Sequence, residues 1–323
     1  MFAAPAGAQS AAPIMLKLSQ FLGRDSFFAR DWAEPWAREL EARTDGRVHV
    51  ELFAGDSPLG GVLNQATQAR DGTVDIALGL RGAEGDKFPR TSVIELPFLV
   101  KDAASGSRAL WTLFEQGAFG PEFSEFKVLA LFVQNPGMVH TAAKPIRTPG
   151  DMAGLRFRAP NQAVAVALRE LGATPLILQV NDVMPAVRDG RLDGIVTNWG
   201  NPLPGFNDAM RFHTEVPFYT AVFFVVMNKA RFDGLPPDVR AAIDAQSGAT
   251  LVERFGRLWN VWDAPVRAGA ANDTVFTPDS AGLAEWKAAL RPVTDRYLLD
   301  LAAHGFPDAR AVYDRVVASL PPG

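Results

Sequence analysis

Apolar and polar positions alternate in short runs along much of the chain, and between these runs apolar residues recur at helical spacing. Leu16 and Leu18 alternate with Lys17 and Ser19, the pattern of a half-buried strand. A helix follows, with Ser26 as its N-cap and Trp32, Trp36 and Leu40 on one face. Pro35 lies inside it and predicts a kink or a late start there. Thr44-Asp45-Gly46 turns into a strand carrying Val48, Val50 and Leu52. Pro58-Leu59-Gly60-Gly61 opens a second helix running to about Arg70, and a strand follows over 74–78. Further strands are predicted over 127–133, 155–159, 175–178 and 192–197, with helices over 163–171 and 182–188 between them. The most apolar run, 221–227, also has strand length. Residues 237–267 pattern as one helix, weakened at Gly248 and Gly256 and ended or bent at Pro265. Such alternation predicts an α/β fold of mainly parallel sheets covered by helices. The last helix outreaches one small domain and is long enough to bridge two.

One motif occurs twice. Arg70-Asp71-Gly72-Thr73-Val74-Asp75 returns 118 positions later as Arg188-Asp189-Gly190-Arg191-Leu192-Asp193. Each copy closes a helix, turns at Asp-Gly and enters an apolar strand. The separation is too wide for a solenoid and suits two similar α/β lobes, although Asp-Gly is also a common turn pair.

Composition narrows the classes. The 323 residues are 48% hydrophobic and 21% charged, with a net charge of -4, which is globular composition with length enough for two lobes. A weakly acidic chain has no electrostatic footprint for nucleic acid. No apolar run is long enough for a membrane-spanning helix. The absence of cysteine excludes disulfides, thiolate catalysis and Cys-ligated zinc. Residues 1–13 are small, apolar and rich in Ala and Pro. Ala6-Gly7-Ala8 before Gln9 has the small-x-small form of a signal-peptidase site, without the basic and long apolar regions that precede one. The segment reads as a signal-peptide remnant or a disordered tail.

The chemistry concentrates in a few places. Leu155 and Phe157 alternate with Arg156 and Arg158, and Pro160 ends the strand. A guanidinium at a strand end is suited to hold a carboxylate with two parallel hydrogen bonds; the alternative is that both arginines are solvated. The second Asp-Gly copy leads to Asn198 and Trp199, at the carboxyl end of an apolar strand where open α/β sheets place their ligands. Asn198 offers a donor and an acceptor, and Trp199 offers a flat wall or an ordinary core ring. Asn135 and Tyr219 stand near the expected crossings between lobes, as ligand contacts or as hinge and core residues. Enzyme signatures are missing: no Gly-x-Ser-x-Gly elbow, phosphate loop or Gly-x-Gly-x-x-Gly fingerprint occurs. His49, His140, His213 and His304 are scattered, with no ligand spacing, so each reads as a surface or hydrogen-bonded residue. Glu39 and Glu41 read as a solvated helix surface. No catalytic residue, metal or cofactor is assigned.

Five stretches together resemble the solute-binding proteins of tripartite ATP-independent periplasmic (TRAP) transporters, the DctP type. They are Thr44-Asp45-Gly46-Arg47-Val48 with Pro58-Leu59-Gly60; Gly72 to Ile76 with Phe88-Pro89 and Ile94-Glu95-Leu96-Pro97-Phe98-Leu99; Lys144-Pro145-Ile146 through Asp151 and Gly154 to Arg158-Ala159-Pro160; Leu192-Asp193-Gly194; and Met227-Asn228-Lys229 with Leu235-Pro236-Pro237. The block ending in Arg158-Ala159-Pro160 is the most specific.

The resemblance implies a two-lobe periplasmic-binding-protein fold with a hinge and a long helix bridging both lobes. Lobe I is expected over 14–136 plus 223–258, and lobe II over 137–222 plus 259–323. It implies that Arg158 clamps a ligand carboxylate, with Asn198 or Trp199 in the site loop; Tyr219 and Asn135 stay second-rank candidates, as ligand contacts or as hinge and core residues. It implies export to the periplasm, a monomer, as most of the family are, and delivery of the ligand to TRAP membrane permease subunits. Met138 stands where some relatives have a second arginine, and Gln179-Val180-Asn181-Asp182 lacks a frequent pocket aromatic. Trp199 and Tyr219 are the expected replacements, so the expected ligand is a small mono- or dicarboxylate with an apolar or aromatic body. The rival classes are a periplasmic hydrolase or isomerase acting on an organic acid, and a sensor module presenting its ligand to a receptor.

Overall fold

The computed structural model describes residues 12–178, 180–200 and 203–321. The Ala6-Gly7-Ala8 motif, Gln179 and the Asn201-Pro202 pair after Trp199 lie outside the described residues.

Strands β1 (Ile14–Gln20), β2 (Val48–Phe53), β3 (Ile76–Leu80) and β4 (Phe126–Val133) open the chain. They are followed by β5 (Gly137–Thr141), β6 (Arg156–Ala159), β7 (Thr174–Ile177), β8 (Gly194–Thr197), β9 (Phe212–Tyr219), β10 (Val222–Asn228) and β11 (Thr274–Phe276). Two sheets result, ordered β2-β1-β3-β10-β4 and β11-β9-β5-β8-β6-β7. Both are mixed. β10 runs antiparallel to β3 and β4, and β5 runs antiparallel to β8 and β9. These are the strands that enter each sheet directly from the other lobe, without the crossover helix that parallel pairing requires. The remaining pairs are parallel.

The helices are α1 (Glu34–Arg43), α2 (Gln65–Arg70), α3 (Ala103–Glu115), α4 (Gln162–Glu170), α5 (Val180–Arg188), α6 (Phe206–Ala209), α7 (Lys229–Asp233), α8 (Pro237–Asp244), α9 (Ala249–Gly269), α10 (Ser280–Ala303) and α11 (Ala309–Ser319). Pro35 has the predicted effect. Ser26 Oγ accepts from the Ala29 N–H, a π-helical turn covers Ala29–Ala33, and α1 starts at Glu34 with Pro35 in its first turn. Pro35 has no N–H for the Asp31 carbonyl, and Arg254 Nη2 takes that acceptor at 2.7 Å.

The thirty-residue helix expected over 237–267 is two helices. Gly248, at φ +64°, separates α8 from α9, and its N–H bonds the Leu129 carbonyl at 2.7 Å. Pro265 does not end α9, which runs on to Gly269. Phe255 and Trp259 of α9 pack in the first lobe's aromatic core with Phe28, Phe132 and Phe223, whereas Arg267 pairs with Glu215 of the second sheet. α10 also touches both sides: Arg296 pairs with Glu170, and the Tyr297 hydroxyl donates to Ser92 Oγ. α11 packs on α3 and the 3-10 turn Thr91–Glu95, so α10 and α11 contact elements of both lobes.

The repeated motif has the same geometry twice. Gly72 and Gly190 take φ +73° and +67°, and the next N–H closes back on Gln68 or Ala186. Asp75 then accepts from the Lys17 N–H at 2.7 Å, and Asp193 from the Arg156 N–H at 2.8 Å. Each carboxylate therefore pins the neighbouring parallel strand of its own sheet.

Candidate functional site

The chain crosses between sheets after Val133 and after Tyr219, and a cleft of about 580 Å³, mouth included, lies beside these crossings. Phe21, Phe27, Phe28, Phe223 and Trp259 give it an aromatic wall from the first lobe and α9. Arg158, Pro160, Asn161 and Tyr219 face it from the second lobe.

The two arginines of β6 have different surroundings. Arg156 is bidentate to Asp193, with Nε and Nη2 at 2.9 and 2.7 Å from its two oxygens. Arg158 lines the cleft, is only 6% exposed and has a buried Nε with no hydrogen-bond partner. No carboxylate among the described residues forms an ion pair with it. Burial pushes its pKa down, opposed by the nearby Tyr219 oxygen. A guanidinium holds its proton despite such a shift, so the cleft contains a desolvated cation whose natural complement is an anion.

Tyr219 closes β9 and also lines the cleft. Its ring lies over Gly137, where an added Cβ would sit 2.0 Å from a ring carbon, so that position excludes any side chain. Its oxygen accepts from Gln134 Nε2 at 3.3 Å, and burial raises its pKa.

Glu95 and Asn161 complete the polar lining. Glu95 Oε2 accepts from Arg81 Nη2 at 2.6 Å and from Asn161 Nδ2 at 3.0 Å, and Oε1 accepts from the Val222 N–H at 3.0 Å. Asn161 also caps α4, its Oδ1 accepting from the Val164 N–H at 2.9 Å.

The structure places Asn135 and Asn198 behind the cleft, on Asp263 of α9. Asn135 Nδ2 donates to Asp263 Oδ2, and Asn198 Nδ2 and the Gly200 N–H donate to Oδ1, at 2.9, 2.9 and 2.6 Å. Asn135 Oδ1 also accepts from the Ala103 N–H that opens α3. Burial raises the Asp263 pKa, against three donors that favour the carboxylate. Thr220 Oγ1 donates to the Gln134 carbonyl at 2.7 Å, tying the two crossings together. Asp263, Asn135 and Asn198 thus join both lobes and α9 at one point.

Trp199 lies in the second lobe's own core, 2% exposed, against Phe206, His140 and His213. The flat wall of the cleft comes from the first-lobe phenylalanines and Trp259 instead. His140 and His213 face each other across β5 and β9 with Nδ1 atoms 2.8 Å apart, and His140 Nε2 meets the Thr197 carbonyl. Burial pushes the His140 pKa down to about 3.

Of the sequence candidates, Arg158 and Tyr219 meet at the cleft, while Asn135, Asn198 and Trp199 do not line it. Glu95, Asn161, Gln134, Asp263 and the aromatic wall were not singled out from sequence. Glu95 sits in the quoted Ile94-Glu95-Leu96-Pro97 run, and Asn161 directly follows Pro160 as a helix-capping residue, the only signals either gave. Among the described residues, no cluster of three or more His, Asp or Glu is placed to hold a metal ion. No described helix is long and apolar enough to cross a membrane.

The chain thus forms two lobes around a cleft lined by Arg158, a buried cation with no carboxylate partner among the described residues. The chain belongs to the DctP family, bacterial extracellular solute-binding protein family 7, which it matches over residues 19–300. It is similar to a TRAP solute-binding protein from Rhodoferax ferrireducens T118, solved with copurified benzoate, at 32% identity and a TM-score of 0.87, covering 95% of this chain and 97% of that one. A marine metagenome TRAP solute-binding protein specific for aromatic acid ligands, solved with 3-hydroxybenzoate, is 28% identical with a TM-score of 0.89, covering 96% and 98%. The outer membrane transporter protein TsaT of Comamonas testosteroni is 26% identical over 298 residues, covering 90% of this chain and 87% of that one. The chain is thus a TRAP solute-binding protein.

Proposed function

We propose that this protein captures a small organic acid with an aromatic or apolar body in the periplasm, by closure of its lobes, and delivers it to a TRAP permease. Arg158 clamps the ligand carboxylate. The observation that carries this reading is Arg158 itself, buried at the cleft without a carboxylate partner and opposite an aromatic wall. A carboxylate entering a closing cleft loses its water and needs a fixed opposite charge, which the planar fork of an arginine supplies together with orientation. The phenylalanines and Trp259 leave few hydrogen-bonding groups for a polyhydroxylated ligand. The benzoate and 3-hydroxybenzoate held by two similar proteins support the same class. Tyr219 and Gln134 flank the clamp, while Asn135, Asn198 and Asp263 form the hinge about which the lobes move as a monomer.

The reading is of a binding protein, not an enzyme: the ligand is held stoichiometrically and released unchanged. A thermal-shift panel of benzoate, phenylacetate and aliphatic acids, each beside its amide, tests it. An acid at a hundred times its dissociation constant adds about 2.7 kcal/mol, or roughly 5–10 °C for a chain of this size. Acids shift the midpoint and amides do not; equal shifts by the amides, or formation of a product from a bound acid, contradict the reading.

A further inference from the structure

Glu95 brings a second charge to the cleft that carries Arg158. All three of its polar contacts, from Arg81, Asn161 and the Val222 N–H, are donors. Three donors and no acceptor are the surroundings a carboxylate's acceptor-only oxygens match. Its partner Arg81 is buried and engaged at 2.6 Å. Among the described lining residues, Arg158 is the one basic side chain and Glu95 the one acidic side chain.

We propose that Glu95 is a specificity-determining residue that restricts the cleft to ligands with one carboxylate. The inference rests on the Arg158 reading and goes beyond it. The first carboxylate of a ligand meets Arg158. A second one on the same ring would be buried in a cleft that offers no further basic side chain among its described lining residues and has the Glu95 carboxylate in its wall. It would lose its water without gaining a partner and would be repelled by Glu95. Specificity of this kind comes from a repulsive element as much as from an attractive one.

Isothermal titration of the full chain with benzoate and the three benzenedicarboxylate isomers tests the proposal through the ratio of their dissociation constants. The unmodified chain is expected to prefer benzoate by more than tenfold over each isomer. In Glu95→Gln that ratio is expected to fall at least tenfold for one isomer or more, because the repelling charge is gone and the Arg81 charge is released. Glu95→Gln leaves Arg81 buried without its carboxylate, so the double variant Arg81→Gln/Glu95→Gln, which removes both charges, is measured beside it. It is expected to fold and to show a reduced ratio as well. A dicarboxylate bound as tightly as benzoate by the unmodified chain, or an unchanged ratio in the folded variants, overturns the role of Glu95 and leaves the Arg158 reading standing. Failure of the unmodified chain to bind benzoate or any other monocarboxylate overturns the Arg158 reading, and the Glu95 proposal with it.

Discussion

Asn161 Nδ2 donates to Glu95 Oε2 at 3.0 Å, a hydrogen bond that runs from the capping residue of α4 in the second lobe to the first lobe. Asn161 follows Arg158 by three residues, and its Oδ1 simultaneously caps α4 at Val164. An added Cβ on Gly82, the first-lobe residue opposite, would lie 3.4 Å from Asn161 Cβ. The strand end that presents Arg158 is therefore tied to the first lobe by this hydrogen bond.

Asn161→Ser isolates this tie. Serine keeps a capping oxygen for α4 but is too short to reach Glu95. A hydrogen bond to a charged group contributes about 1.5–3 kcal/mol, so the affinity for a carboxylate ligand is expected to fall about tenfold or more. Titration calorimetry reads the loss, and the unligated melting temperature reports whether the cap survived. An unchanged affinity contradicts a role for the tie in binding.

Asp263→Ala removes the acceptor shared by Asn135, Asn198 and the Gly200 N–H. Each buried donor left unpaired costs about 1–3 kcal/mol. A loss of about 3 kcal/mol or more is expected in urea unfolding at neutral pH. A loss below about 1 kcal/mol would show that the three elements do not depend on this carboxylate.

Acid should weaken the second lobe through His140. Folded His140 stays neutral down to about pH 3, whereas its ordinary value is 6.5. Between those values the unfolded chain binds the extra proton, so stability rises with pH and is lost on acidification below about 6.5. One such proton amounts to about 1.4 kcal/mol per pH unit. The charged or titratable groups nearest to it are His213 across the strand pair, and Asp273 and Arg211 beyond His213. Urea unfolding of the unmodified chain and of His140→Gln between pH 6 and 4.5 compares the slopes, and the variant is expected to lose up to one proton's worth. Equal slopes contradict the assignment.

Sequence alone revealed the lobes better than the site. The two Asp-Gly copies became equivalent turns because a helix end, a glycine at positive φ and a strand-pinning aspartate are all local features. Arg158 was legible as a guanidinium at a strand end, but its difference from Arg156 lay in Asp193, 37 residues away. Trp199 could be wall or core on its period alone, and the fold of 203–214 over it decided for core. Glu95, Asn161 and Asp263 were illegible for a related reason. Apart from the Glu95–Arg81 pair and the Asn161 helix cap, their partners lie 63 to 128 residues away, and a polar residue in an apolar run does not announce which distant donor it meets. The break between α8 and α9 was hidden because Gly248 is as compatible with a weakened helix as with the left turn it makes.

The central claim is the carboxylate clamp, and calorimetry of benzoate with the unmodified chain, Arg158→Ala and Arg158→Lys tests it most directly. Truncating one partner of a buried charge pair costs about 2–5 kcal/mol, roughly 30-fold to several thousand-fold in affinity. The account predicts at least a tenfold loss in Arg158→Ala with the fold intact, and a poor rescue by lysine, whose ammonium cannot copy the fork. Benzoate bound by Arg158→Ala as tightly as by the unmodified chain would contradict it.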